Sequence, residues 1–148
     1  MQSTTSKHTT IFAPNQGKSL SFSGQTITCK FNPNHHGWYF FELLATADSP
    51  VPLHYHPWDE MSYLLEGEVD LQFADQTVRA TPGYFINLPA GVAHAFTVRS
   101  PQARFLVGVS QVQAMQFAQE LDRVAQERLL TPEVAIAIAQ KYQVQVIS

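Results

Sequence analysis

Two histidines one residue apart, His54 and His56, precede a carboxylate, Glu60, in the stretch His54-Tyr55-His56-Pro57-Trp58-Asp59-Glu60. Side chains alternate across an extended strand, so the two imidazoles point the same way. A proline-containing turn then lets Glu60 swing back beside them. A third imidazole, His94, lies downstream in Pro89-Ala-Gly91-Val-Ala-His94. Three imidazoles and one carboxylate form a ligand set for a divalent first-row metal: Fe, Mn, Ni, Co or Zn. No cysteine joins the set, which disfavours a structural zinc site. Four protein ligands on an octahedral ion leave two positions open, the arrangement a catalytic metal needs.

Such a site needs a scaffold that brings distant segments together. From about residue 18 to 110 the chain reads as short strands separated by Gly, Pro, Asn and Asp. Expected strands, besides the one that carries His54 and His56, include Gln25–Phe31, Trp38–Ala45, Met61–Glu66, Glu68–Ala74, Gly83–Leu88, His94–Arg99 and Arg104–Ser110. Evenly spaced short strands of this kind build an all-β sandwich or barrel. From Val112 the period becomes helical, with Met115, Ala118, Leu121, Ala125 and Leu129 on one stripe. Thr131-Pro132-Glu133 then starts a second helix, with Thr as cap, Pro in the first turn and Glu at the positive dipole end. Its expected buried face is Val134, Ala135, Ile138 and Tyr142. The two helices are expected to pack outside the barrel, in a single domain spanning residues 1–148.

Composition narrows the function classes. Charged residues are 14% of the 148 and hydrophobic ones 45%, so an ordered core is expected. The net charge of −3 recruits neither nucleic acid nor anionic membrane. Residues 129–142 have the outline of a DNA-binding helix-turn-helix, but only Lys141 is basic between Pro132 and Ser148. The lone Cys29 makes no internal disulfide, which points to a reducing, cytoplasmic setting. Met1–Thr10 is polar and is not read as a secretory signal. No apolar run approaches the roughly 20 residues of a membrane span.

The two histidine segments resemble the paired motifs of the cupin family. The first motif, Gly-x5-His-x-His-x3-Glu-x6-Gly, is met by His54, His56, Glu60 and Gly67, with Asp48 in place of its leading Gly. The second, Gly-x5-Pro-x-Gly-x2-His-x3-Asn, is met by Gly83, Pro89, Gly91 and His94, with Val98 in place of its Asn. The layout, including a two-helix tail ending in Val-Gln-Val-Ile, is similar to the small quercetin-dioxygenase-like cupins. The resemblance implies a jelly-roll barrel (a double-stranded β-helix), one metal held by His54, His56, Glu60 and His94, and a homodimer. It also implies an oxygenase acting on a small aromatic or enolic compound, with Glu60 doubling as a base. A metal-dependent isomerase or lyase, and a non-catalytic ligand-binding or sensor protein, are the alternatives.

Alternation suggests the walls of the cavity. Phe96 and Val98 follow His94 on one face, and Ser62 and Leu64 follow Glu60. Trp38, Phe40 and Phe85 complete the candidate substrate contacts, although their strands carry apolar residues on both faces. Trp58 is placed at the entrance. His35 and His36 flank Asn32-Pro33-Asn34, on a surface loop or on a lid over the cavity. Gly67 and Gly91 are expected at positive φ.

Overall fold

A computed structural model describes residues 9–32 and 37–147. His35 and His36, and most of the polar N-terminal run, lie outside the described residues. The first sheet contains β1 (Ser19–Phe22), β2 (Gln25–Cys29), β3 (Tyr39–Thr46), β5 (Glu60–Glu66), β8 (Phe85–Leu88) and β10 (Gln102–Val109). The second contains β4 (Val51–Tyr55), β6 (Val69–Phe73), β7 (Gln76–Ala80), β9 (His94–Val98) and β11 (Gln145–Val146). Their orders are β1-β2-β3-β10-β5-β8 and β11-β4-β9-β6-β7, with every pair antiparallel. Consecutive strands repeatedly change sheet, so the two layers form the expected jelly roll around a shared core.

Side-chain parity decides what faces inward. On β3, Phe41, Leu43 and Ala45 are buried while Phe40 and Thr46 are exposed. On β10, Phe105, Val107 and Val109 are buried and Leu106 is exposed. Leu20, Leu64, Val69 and Val107 fill the centre at 2% exposure or less.

Three strands, β1, β7 and the short β11, are additional to those expected from the sequence. Ser23 (φ 48°) and Gly24 (φ 76°) form the two-residue link between β1 and β2. Positive φ at both turn residues matches the natural strand twist, and Ser-Gly is a weak signal for such a turn. Gly67 takes φ 93°, as expected, and a Cβ there would meet the Gln102 carbonyl oxygen at 2.5 Å. Gly91 takes φ 82°.

Helices α1 (Val112–Gln126) and α2 (Pro132–Lys141) follow β10. Thr131 caps α2 by accepting from the Val134 N–H at 3.2 Å, with Pro132 and Glu133 in the first turn. Helix α1 ends sooner than its apolar stripe suggested. Arg128 enters the left-handed region (φ 60°), and the N–H groups of Arg128 and Leu129 close back on the carbonyls of Ala125 and Val124. That pattern is a Schellman cap with arginine where glycine is usual. Leu129 is consequently 60% exposed, and Val124 is buried in its stead.

The helices close the seam between the two sheets. Helix α1 packs on edge strand β1, where Asp122 Oδ1 accepts from the Ser21 N–H at 2.8 Å. Beyond α2, β11 pairs with β4, placing Val146 opposite His54. Both helices thus lie outside the sheets, yet their apolar faces also border the interior. Among the described residues no helix is long and apolar enough to cross a membrane.

Candidate metal centre

Strand pairing brings the four motif residues to one end of the barrel. His54 is the last residue but one of β4 and lies opposite His94, the first residue of β9. His56 follows β4, and Glu60 opens β5 after the Pro57-Trp58-Asp59 turn. One ring nitrogen from each of His54, His56 and His94 lies within 4.8 Å of the others. Glu60 Oε2 lies 3.5 Å from His56 Nε2 and 3.4 Å from His94 Nε2.

The rings are oriented by the backbone. His54 Nδ1 donates to the Pro52 carbonyl at 2.8 Å, His56 Nδ1 to the Trp58 carbonyl at 3.0 Å, and His94 Nδ1 to the Val92 carbonyl at 2.9 Å. A carbonyl can only accept, so each Nδ1 carries a proton and each Nε2 is left to face the centre. Trp58 is not at the entrance as expected. It is 4% exposed and stacks on His56, with ring centroids 4.5 Å apart and planes 11° apart. This contact fixes the ring that the carbonyl has already oriented.

The turn carrying Glu60 is tied to the loop carrying His94. Asp59 Oδ1 accepts from the Ala90 N–H at 2.9 Å, and the His56 carbonyl accepts from the Gly91 N–H at 2.9 Å. Asp59 also exchanges bonds with Ser110: its N–H donates to Ser110 Oγ at 2.9 Å, and its carbonyl accepts from the Ser110 N–H at 3.0 Å. Asp59 is a positioning residue that sequence reasoning missed, because its partners lie 31 and 51 positions away.

The electrostatics favour a cation. Burial lowers the His54 pKa to about 4, helped by the neighbouring His94, so this ring is neutral at physiological pH. Burial alone would raise the Glu60 pKa. Hydrogen bonds to His56 and His94 outweigh it and hold the carboxyl at about 2. Burial works against a charged His94, yet the Glu60 carboxylate wins and moves its pKa upward.

The donor set fits a divalent ion. Metal–nitrogen bonds of about 2.1 Å put adjacent ligand atoms roughly 3 Å apart and opposite ones about 4.2 Å apart. The Glu60–imidazole separations of 3.4 and 3.5 Å and the imidazole nitrogens within 4.8 Å of one another are each wider than these spacings by about half an ångström, which a small inward shift of the side chains would close. Neutral nitrogen and anionic oxygen donors without sulfur suit iron, manganese, cobalt, nickel or zinc alike.

The ligand cluster opens onto a cavity of about 610 Å³. Ser62 and Phe96 line it. Other candidate contacts lie elsewhere. Leu64 (0% exposed) and Val98 (4%) share the inward parity, but they are absorbed into the packed core with Val69 and Ala103 and do not border the cavity. Trp38 and Phe40 take the outer face of the first sheet, because Phe41 and Leu43 face inward. Phe85 is 62% exposed, since its neighbours Ile86 and Leu88 take the inner face. Walls not anticipated come from Phe41, Phe105 and Val107 on the strands and from Met115, Phe117 and Leu121 on α1. The helical stripe was a visible signal for the last group, but its partner surface was not.

Comparison with known proteins places this geometry. The family profile described as Cupin domain matches residues 40–109. No curated protein sequence matches the chain. Among solved structures, the polyketide cyclase RemF from Streptomyces resistomycificus superposes with a TM-score of 0.61 at 23% identity, over 70% of this chain and 80% of that one. An RmlC-like cupin from Shewanella frigidimarina gives 0.60 at 19%, over 71% and 91%. The Fe(II) form of HppE gives 0.57 at 17%, over 70% and 62%. At these identities the likeness is one of fold.

Proposed function

We propose that this chain, whose residues 40–109 match the profile described as Cupin domain, is a metal-dependent enzyme for small molecules, acting as a dioxygenase on an aromatic or enolic compound. The observation that carries the reading is the set of three clustered imidazoles, each locked at Nδ1 by a backbone carbonyl, with Nε2 of His56 and His94 turned toward Glu60. Two structural neighbours, RemF and HppE, carry the names of a polyketide cyclase and an Fe(II) protein, which supports small-molecule chemistry on this scaffold.

His54, His56, His94 and Glu60 would hold the metal. When bound, it would supply Lewis-acid activation of a substrate oxygen and a site for dioxygen. Glu60, ionised at neutral pH, is positioned to accept the proton of an enol or phenol at Oε2. Phe41, Phe105, Val107 and Met115 exclude water from the reacting end. A dioxygenase places both oxygen atoms in the product, so no external reductant is required.

The test is metal analysis of the purified protein, followed by oxygen uptake with flavonols and 2,4-diketones on iron-, nickel- and manganese-loaded samples. Stoichiometric metal and substrate-dependent uptake are expected. Bound metal without oxygen consumption in any loaded form would remove the dioxygenase assignment and leave the isomerase, lyase or sensor alternatives. A chain that never holds stoichiometric metal would remove the whole reading.

A further inference from the structure

The cavity is long, and its polar groups are unevenly distributed. Across the first sheet, Glu60 pairs with Val109, and Val109 with Tyr39. Gln25, beside the β1–β2 hairpin, pairs with Ala45. Both Glu60 and Gln25 line the cavity, and six residues of β3 separate their levels, about 20 Å of strand. Helix α1 spans the same distance, from the metal end after β10 to the hairpin, where Asp122 holds Ser21. Helix α2 returns alongside it, and both helices turn apolar residues into the cavity.

Beyond the imidazoles and Glu60, the polar side chains that line the cavity are Ser62 near the metal end and Ser23 and Gln25 at the hairpin. Among the described residues no Lys or Arg lines it. A phosphate or carboxylate along its length would be desolvated without a partner, and a polyol would leave most of its hydroxyls unsatisfied. At the hairpin end a second pocket of about 390 Å³ shares Ser23, Pro132 and Ala135 with the cavity. The two pockets therefore adjoin at these residues, between the hairpin and the start of α2, at the end remote from Glu60.

We propose that the ligand is an uncharged, elongated apolar molecule, with a ketone, enol or hydroxyl at the His54–Glu60–His94 end and a hydrocarbon body extending to the β1–β2 hairpin. The inference rests on the metal-site reading only for the placement of the oxygen end. The body is recognised by area alone, so affinity follows chain length.

The experiment is calorimetric titration of the cobalt-loaded and the chelator-treated full chain with pentane-, nonane- and tridecane-2,4-dione, alongside an alkanoate as anionic control. Each added methylene should tighten binding about fourfold until the hairpin is reached, the factor that corresponds to about 0.8 kcal/mol per buried CH2. This slope should persist without metal, whereas the shortest diketone should lose most of its affinity there. Ala118→Trp, on the cavity face of α1, should weaken the longest diketone at least tenfold and change the shortest by less than about threefold. Ala135→Trp, where the two pockets adjoin, should do the same if the first variant does not fold. Equal affinity for all three diketones in the wild type, or tighter binding of the alkanoate, overturns the proposal. Failure of oxygen uptake with the length dependence intact would count against the dioxygenase reading alone.

Discussion

The Asp59 carboxylate provides a direct test of how the centre is held. It accepts from the Ala90 N–H at 2.9 Å, in the loop that delivers His94, while the adjacent Glu60 is itself proposed as a ligand. Asp59→Ala removes this bond but leaves the Gly91–His56 backbone bond at 2.9 Å and both backbone bonds to Ser110. A charge-assisted hydrogen bond contributes about 1.5–3 kcal/mol, and its exposed position here argues for the lower end. If half to all of that energy falls on the relation between His94 and Glu60, metal affinity drops by about 1–2 kcal/mol, or roughly five- to thirtyfold, which overlaps the lower part of the range of about 10- to 100-fold for outer-shell partners of metal ligands. Asp59→Asn retains an acceptor oxygen without the charge and should lose less than half as much. The assay is competition for zinc or cobalt against a calibrated chelator, with denaturant unfolding of the metal-free protein measured in parallel. Metal affinity unchanged within threefold, with metal-free stability lowered by the full amount, would show that the bond supports the fold rather than the site.

His54→Ala and His94→Ala should each abolish stoichiometric metal while keeping the wild-type far-UV circular dichroism, read by elemental analysis; full metal content in either variant would dismantle the ligand assignment. Leu64→Ala, at 0% exposure, should cost about 2–5 kcal/mol in denaturant unfolding and leave ligand affinity alone, since the residue belongs to the core and not to the cavity. Hydrogen bonds from Arg79 and Arg99 hold Asp70 at about 2 in the folded chain, against 3.8 for the free side chain. A depressed carboxylate stabilises above its unfolded pKa, so this contribution is complete above pH 4 and fades as pH falls toward 2; an NMR midpoint for Asp70 near 4 would refute it. Phe40, Tyr63, Phe85 and Leu106 are 38–62% exposed on the outer face of the six-stranded sheet. A homodimer through this face is the expected state, with Tyr63→Glu and Phe85→Glu together shifting light-scattering mass to the monomer; a wild-type monomer at high micromolar concentration would exclude it.

How far the sequence reveals this protein depends on the range of each signal. The ligands were legible because their spacing is local: a strand period turns His54 and His56 one way, a proline turn returns Glu60, and Pro89-Ala-Gly91 announces the entry to His94. The same period orients β3 only weakly, because Glu42 is the single polar residue on a face whose Trp38, Phe40 and Leu44 are as apolar as Tyr39, Phe41 and Leu43. Long-range pairing decides between them. Phe40 lies opposite Gly108 of β10, and a Cβ at Gly108 would stand 2.8 Å from its ring. Phe40 therefore occupies an outer site that only glycine leaves free, which sends Phe41 and Leu43 inward. β1 and β7 escaped notice because Ser-Leu-Ser-Phe and Gln-Thr-Val-Arg-Ala carry too little hydrophobic contrast to stand out, and they become strands through their neighbours β2 and β6. Helix α1 stops at a left-handed arginine that no composition rule marks. The contrast has a consequence for function. The metal ligands come from segments that a short motif can encode, whereas the cavity's depth comes from the register of β3 with β10 and the docking of α1 on β1. Two chains with the same histidine motifs can therefore hold the same ion and accept different molecules, so ligand choice should respond to substitutions at Ala118 and Ala135 that leave metal affinity untouched.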